Sequence, residues 1–260
     1  MKTLLCALVA MAIASPVVAQ TYITENVATS TTWNLAGSPY VVQGTIAVTS
    51  SSILTIDPGV TVEMDTDAHL RTYGGCSIVA IGTYDDPILF TSSSVTPAAN
   101  DWYAVYLRES PASGFSYCTF EYGVYNLYAD LCSATVSYCT SRYADNGFVC
   151  ESGSLLLEGC DIIDNNRGIK IYGPDSYPVL HNCNIYNNYY DNMYVASYTE
   201  APLVTIDAEN NWWGTDVDSE IEATISFSNS AYAEVDYTPW LHEIPVEAIS
   251  WGRVKALFAD

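Results

Sequence analysis

Four cysteines set the frame of this chain. Cys118, Cys139, Cys160 and Cys183 follow one another at intervals of 21, 21 and 23 residues. A period that short, sustained over several units, marks a stack, because a unit of roughly 20 residues cannot enclose a core by itself. Other columns fall into line on the cysteines. Phe115, Val136, Leu157 and Leu180 stand three positions before them, and Phe120, Ser141, Ile162 and Ile185 two positions after. Phe148, Ile169 and Met193 then correspond, as do Cys150, Ile171 and Val195, once the stretch NNYYDN is given one extra residue.

Within each unit, short runs such as C-D-I and G-I-K-I alternate apolar with polar residues, which is the period of a strand and not of a helix. Gly, Asn, Asp, Ser and Pro clusters (ADNG, DNNRG, YGPDSYP) separate these runs and supply corners. About three strands and three corners per unit, stacked unit on unit, give a parallel β-helix, in which equivalent side chains form columns about 4.8 Å apart. The expected fold class is therefore all-β, a three-sheet solenoid. Cys118, Cys139, Cys160 and Cys183 become an interior ladder of small, soft side chains. Free thiols are expected there, with disulfides between rungs as the competing arrangement, since parallel strands hold equivalent Cβ atoms slightly beyond bridging distance.

The first 19 residues, MKTLLCALVAMAIASPVVA, read as a secretory signal peptide, with Lys2, an apolar run and a small-residue cleavage site. The expected location is outside the cell or at its surface. No later segment is apolar for long enough to span a bilayer. Cleavage would remove one of 8 basic residues and none of the 30 acidic ones, and one of 8 cysteines. So acidic a chain argues against a nucleic-acid partner, whose phosphates demand Lys and Arg. The remaining organisation is a lead-in or cap at 20–37, the solenoid over 38–215, its closing cap over 216–241, and a tail at 242–260. In that tail Trp251, Val254, Leu257 and Phe258 follow the spacing of a short amphipathic helix.

Residues 44–94 contain L-T-I-x-P-G-V-T-V, a glycine-containing coil ending I-G-T, and P-I-L-F-T-S; DWYAVYL follows at 101–107, ENNWWGT at 209–215 and EVDYTPWL at 234–241. Together these resemble secreted bacterial right-handed parallel β-helix proteins of the pectin-lyase-like superfamily, over roughly residues 38–241. The resemblance implies a right-handed solenoid whose last rung is closed by Asn210, Asn211, Trp212, Trp213 and Gly214. It says little about activity, because one solenoid carries many functions.

Enzymes of that superfamily bring carboxylates together on the outer face of one sheet. Here the outward positions one and three after each cysteine are Thr119 and Glu121, Thr140 and Arg142, Asp161 and Ile163, Asn184 and Tyr186. Glu121, Arg142 and Asp161 are thus the only catalytic candidates, and no aspartate stands above another. Arg167 and Lys170 resemble an Arg-Ile-Lys motif of polygalacturonases interrupted by a glycine. His69, His181 and His242 have no neighbour at metal-ligand or Ser-His spacing, and no metal site is expected. Turns at 144–146, 164–166 and 216–220 offer enough side-chain oxygens to leave calcium as the one cofactor to consider. The 21 tyrosines include Tyr186, Tyr189 and Tyr190, whose amphipathic rings suit a glycan or a protein partner. The expected function is an exported, non-catalytic structural or binding module toward a glycan or surface protein; the alternative is a lyase or glycoside hydrolase of acidic polysaccharide.

Overall fold

The computed structural model describes residues 19–173, 175–196, 203–228 and 232–244. All its sheets are parallel and there are three of them, with 8, 8 and 9 strands, so the chain winds through about eight coils. The first sheet includes Cys118–Glu121, Thr140–Arg142, Asp161–Ile163 and Asn184–Tyr186; the second, Trp102–Arg108, Gly123–Asp130, Asn146–Glu151, Arg167–Tyr172 and Asp191–Ala196; the third, Gly114–Ser116, Ser133–Ser137, Ser154–Glu158 and Val179–His181. The columns expected from the cysteine frame are the observed registers. Phe115 pairs with Val136, Val136 with Leu157 and Leu157 with Leu180. Phe120, Ser141, Ile162 and Ile185 follow suit, as do Phe148, Ile169 and Met193.

Period two decides which side chain enters the tube. In Ser154–Glu158, Leu155 and Leu157 are wholly buried while Leu156 between them faces solvent. The inward residues form one continuous core, with Phe90 stacked on Phe120 at 4.7 Å between ring centroids. All seven described cysteines are buried free thiols. Along the ladder the Cys118 amide donates to the Cys139 sulfur at 3.3 Å, and the Cys160 amide to the Cys183 sulfur at 3.4 Å. The thiols of Cys139 and Cys183 in turn donate to the carbonyls of Ser137 and His181, each at 3.3 Å. Sulfur here fills space and satisfies backbone groups at once.

Each corner turns on a residue in the left-handed backbone region, and these too form columns. They lie one before the cysteine (Tyr117, Tyr138, Gly159, Asn182), four after (Tyr122, Tyr143, Asp164, Asn187) and thirteen after (Leu131, Ser152, Gly173). Tyrosine and leucine at such positions depart from the expectation of Gly, Asn, Asp, Ser and Pro corners, since a left-handed residue with a Cβ costs about 1–2 kcal/mol. Inter-coil hydrogen bonds offset that cost: the amides of Tyr117, Tyr138 and Leu131 donate to the carbonyls of Ser137, Glu158 and Glu151 at 3.1, 2.9 and 2.9 Å.

Within the segment expected as a lead-in or cap, Thr21–Ile23 and Thr31–Trp33 pair in the first and third sheets. Likewise Ile225–Phe227 and Ala233–Asp236 extend the second and third sheets beyond 215. An open sheet edge offers unpaired amides and carbonyls, and chain continuing past it satisfies them. A five-residue helix, Asp218–Glu222, buries Ile221 at this end. The helix expected near 251–258 and all but the last residue of the signal peptide expected at 1–19 lie outside the described residues. Among those described, no helix is long and apolar enough to cross a membrane.

The closing residues act unequally. Asn211 is wholly buried; its carbonyl oxygen accepts the Cys183 amide at 2.8 Å and its amide group donates to the carbonyls of Leu180 and Ala208 at 2.7 and 2.8 Å. It thereby ends the cysteine column. Trp213 is buried, whereas Trp212 is half-buried and pairs through its backbone with Asn184. Asn210 and Gly214 take left-handed conformations around them, and Gly214 lies so close to Tyr186 that a Cβ there would sit 2.7 Å from that of the tyrosine.

Candidate binding groove

The catalytic candidates do share the outer face of the first sheet, but the fold uses them. Glu121 registers with Arg142, and the guanidinium holds the carboxylate at 2.9 Å while the Thr91 hydroxyl donates to its other oxygen at 2.9 Å. Glu121 is buried. Asp161 registers with Thr140 and Asn184, in the adjoining column, and accepts a 2.6 Å hydrogen bond from the Asn184 amide. An ion pair beside a capped aspartate is not the converging pair of carboxylates that acid and base roles require. His181 bonds Asp207 at 2.8 Å on the third sheet, and His69 stacks on Tyr103 at 4.2 Å on the second. Burial of His69 and the charge of nearby Arg71 lower its pKa. Arg167 bonds Asp191 at 3.0 Å and Lys170 lies 5.6 Å from the Tyr172 ring, both on the outer face of the second sheet. Among the described residues no three His, Cys, Asp or Glu side chains converge on a point where a metal could sit. In the turns, Asp145 is held by Asn146 and Asn166 at 2.8 and 2.9 Å, Asp218 by Tyr237 at 2.9 Å and Glu220 by Thr215 at 2.5 Å.

The corner between the first and second sheets holds a groove of about 740 Å³ lined by Ala98, Ala99, Tyr122, Tyr143, Ala144, Asp164, Asn165, Asn166, Asn187 and Tyr189. Its shape follows from the left-handed corner column. Two consecutive coils carry tyrosine there, Tyr122 stacked on Tyr143 at 5.6 Å, and the next two carry the short Asp164 and Asn187. The ridge of rings drops to a gap. Tyr189 rises at the far side, edge-on to Tyr190 at 4.7 Å. The lining comes from five successive coils, so at ~4.8 Å per coil the groove runs about 19 Å along the axis.

Beneath the gap the backbone is locked by asparagines. Asn165 accepts from the Ala144 amide at 3.1 Å and donates to the carbonyl of Ser141 at 3.0 Å and to the Asn188 side chain at 3.1 Å. Asn188 donates to the Ile162 carbonyl at 2.9 Å and to the Asn192 side chain at 3.0 Å. Gly168 permits this close packing; a Cβ there would lie 2.6 Å from the Asn192 carbonyl and 2.7 Å from the Asn188 amide. The floor is therefore rigid.

Two family models match this chain: a pectate-lyase-like β-helix domain over residues 25–110 and a right-handed β-helix region over residues 103–237. The chain belongs to the right-handed β-helix family. No curated protein and no solved structure matches it significantly.

Within this β-helix protein the three binding candidates separate. Tyr189 is 77% exposed and lines the groove; Tyr190 stands against it and 5.3 Å from the Arg167 guanidinium; Tyr186 packs under Gly214, away from the gap. The one extra residue in NNYYDN explains the first two, for it lengthens the corner from six residues between Ile162 and Ile169 to seven between Ile185 and Met193 and pushes both rings outward. Sequence reasoning missed Tyr122, Tyr143 and Asn187, and weighed Asp164 only as an oxygen donor of the 164–166 turn. The signal was present in their common offset, four residues after each cysteine. Recognising it needed the knowledge that this offset is a corner whose side chains point out.

Proposed function

We propose that this β-helix protein is an exported, non-catalytic module that binds an extended glycan along the corner groove. One observation carries the reading. The acidic and basic groups that catalysis would need are consumed by ion pairs and hydrogen bonds of the fold, whereas the groove presents rings and polar groups that the fold leaves unused. Rigid floor, aromatic walls and an elongated shape suit a chain-like ligand that stacks apolar sugar faces on rings and bonds its hydroxyls to side chains. Preorganisation lowers the ordering cost of binding.

Cleavage of acidic polysaccharide is the competing role. A glycan panel incubated with the purified protein, with and without calcium, separates the two. Binding without new reducing ends or unsaturated products is expected. Product formation that disappears in Asp161→Ala would replace the binding role with an enzymatic one.

A further inference from the structure

Resting on that binding role, we propose that the groove takes an uncharged oligosaccharide of several pyranose units, laid along the solenoid axis, and rejects polyanions. The polar groups of the lining divide sharply. Asn165 spends both ends of its amide on the floor. Among the described residues, the Asp164 carboxylate, the Asn187 amide and the hydroxyls of Tyr122, Tyr143 and Tyr189 have no hydrogen-bonding partner within the protein. A planar carboxylate, a planar amide and three phenols around a gap between rings match vicinal sugar hydroxyls on one side and the apolar face of a pyranose on the other.

Charge sets the ligand class. The guanidiniums closest to the groove are already neutralised, Arg142 by Glu121 at 2.9 Å and Arg167 by Asp191 at 3.0 Å. Asp164 remains as an unpaired negative charge on the lining of a chain whose formal net charge is −22. Screening in physiological salt acts over about 8 Å, so anything seated in the gap meets that charge directly. A uronate chain would meet repulsion with no cation to answer it.

Calorimetric titration of the purified protein tests the assignment, using β-1,4-linked hexamers of glucose, xylose and N-acetylglucosamine beside hexagalacturonate, at low and high salt. At least one neutral hexamer should bind with little salt dependence. Hexagalacturonate should bind at least tenfold more weakly, the gap widening at low salt and narrowing in Asp164→Asn. Tyr189→Ala should weaken the neutral ligand roughly tenfold. Hexagalacturonate binding as tightly as every neutral hexamer, with Tyr189→Ala still harmful, overturns the uncharged class and leaves the binding role standing. Neutral binding indifferent to Tyr189→Ala places the sugar elsewhere and overturns the assignment. No binding by any hexamer removes the binding role itself.

Discussion

Asn165 and Asn187 lie in neighbouring coils of one corner, yet the structure assigns them opposite work, and the difference can be measured. Asn165→Ala deletes three donor contacts, to Ser141 at 3.0 Å, Ile163 at 3.1 Å and Asn188 at 3.1 Å, and one acceptor for the Ala144 amide at 3.1 Å. Every partner is internal, so water cannot fully replace the loss. The two amide hydrogens are shared among the three acceptors, so three hydrogen bonds are lost, and at about 1 kcal/mol net for each the cost is about 3 kcal/mol. Asn187→Gly removes a side chain that bonds nothing and keeps a residue at ease with its φ of 58°, so the change should stay within about 0.5 kcal/mol. For a chain of this size each kcal/mol moves Tm by roughly 2–4 °C, which separates the variants by about 6–12 °C in scanning calorimetry at one scan rate. An Asn165→Ala protein that melts with the wild type, or an Asn187→Gly protein that melts as early as Asn165→Ala, would refute the division into floor and ligand-facing groups.

Burial pushes the Cys132 and Cys150 thiols from 9.0 up to about 11 and about 12. Their folded values exceed the unfolded ones, so the stability they contribute is complete below pH 9 and is lost as pH rises through 11 to 12; urea midpoints should hold level up to about pH 8.5 and fall by about pH 10.5. In native protein a thiol-specific reagent should react with almost none of the cysteines, and in denaturant with all of them. Trp213→Ala empties the closing rung and should cost about 3–5 kcal/mol, with concentration-dependent aggregation on light scattering as the sheet ends open. Arg142→Ala leaves buried Glu121 with Thr91 alone; because the arginine is 40% exposed the expected loss is only about 1–2 kcal/mol by urea unfolding, with affinity for the neutral hexamer unchanged.

The cysteine period made the tube readable, since a side chain entering a narrow parallel solenoid must recur once per coil and tolerates only small, apolar replacements. Register followed wherever corners kept their length. It survived even at GPDSYP, where the 23-residue interval places its two extra residues before Leu180 and leaves the pairing of Leu157 with Leu180 intact. Corners were harder. Tyr138 and Leu131 occupy left-handed positions that their own preferences disfavour, held by amide-to-carbonyl bonds from the next coil that no local pattern reveals. Strands at the ends were not legible either, because runs as short as Thr31–Trp33 and Ile225–Phe227 carry too few residues to show alternation. For the site, alignment placed Glu121 beside Arg142 correctly but could not show that each is spent on the other. Nor could N-N pairs at 165–166 and 187–188 show which amide is saturated, since that depends on what lies one coil away.

Hydrogen–deuterium exchange on the protein with and without a saturating neutral hexasaccharide tests the central claim most directly. Protection gained on binding should concentrate in the corner segments 142–145, 163–167 and 186–190, leaving the outer faces of the second and third sheets unchanged. Protection centred instead on the third sheet, around Ser133–Ser137 and Ser154–Glu158, would contradict the groove as the binding site.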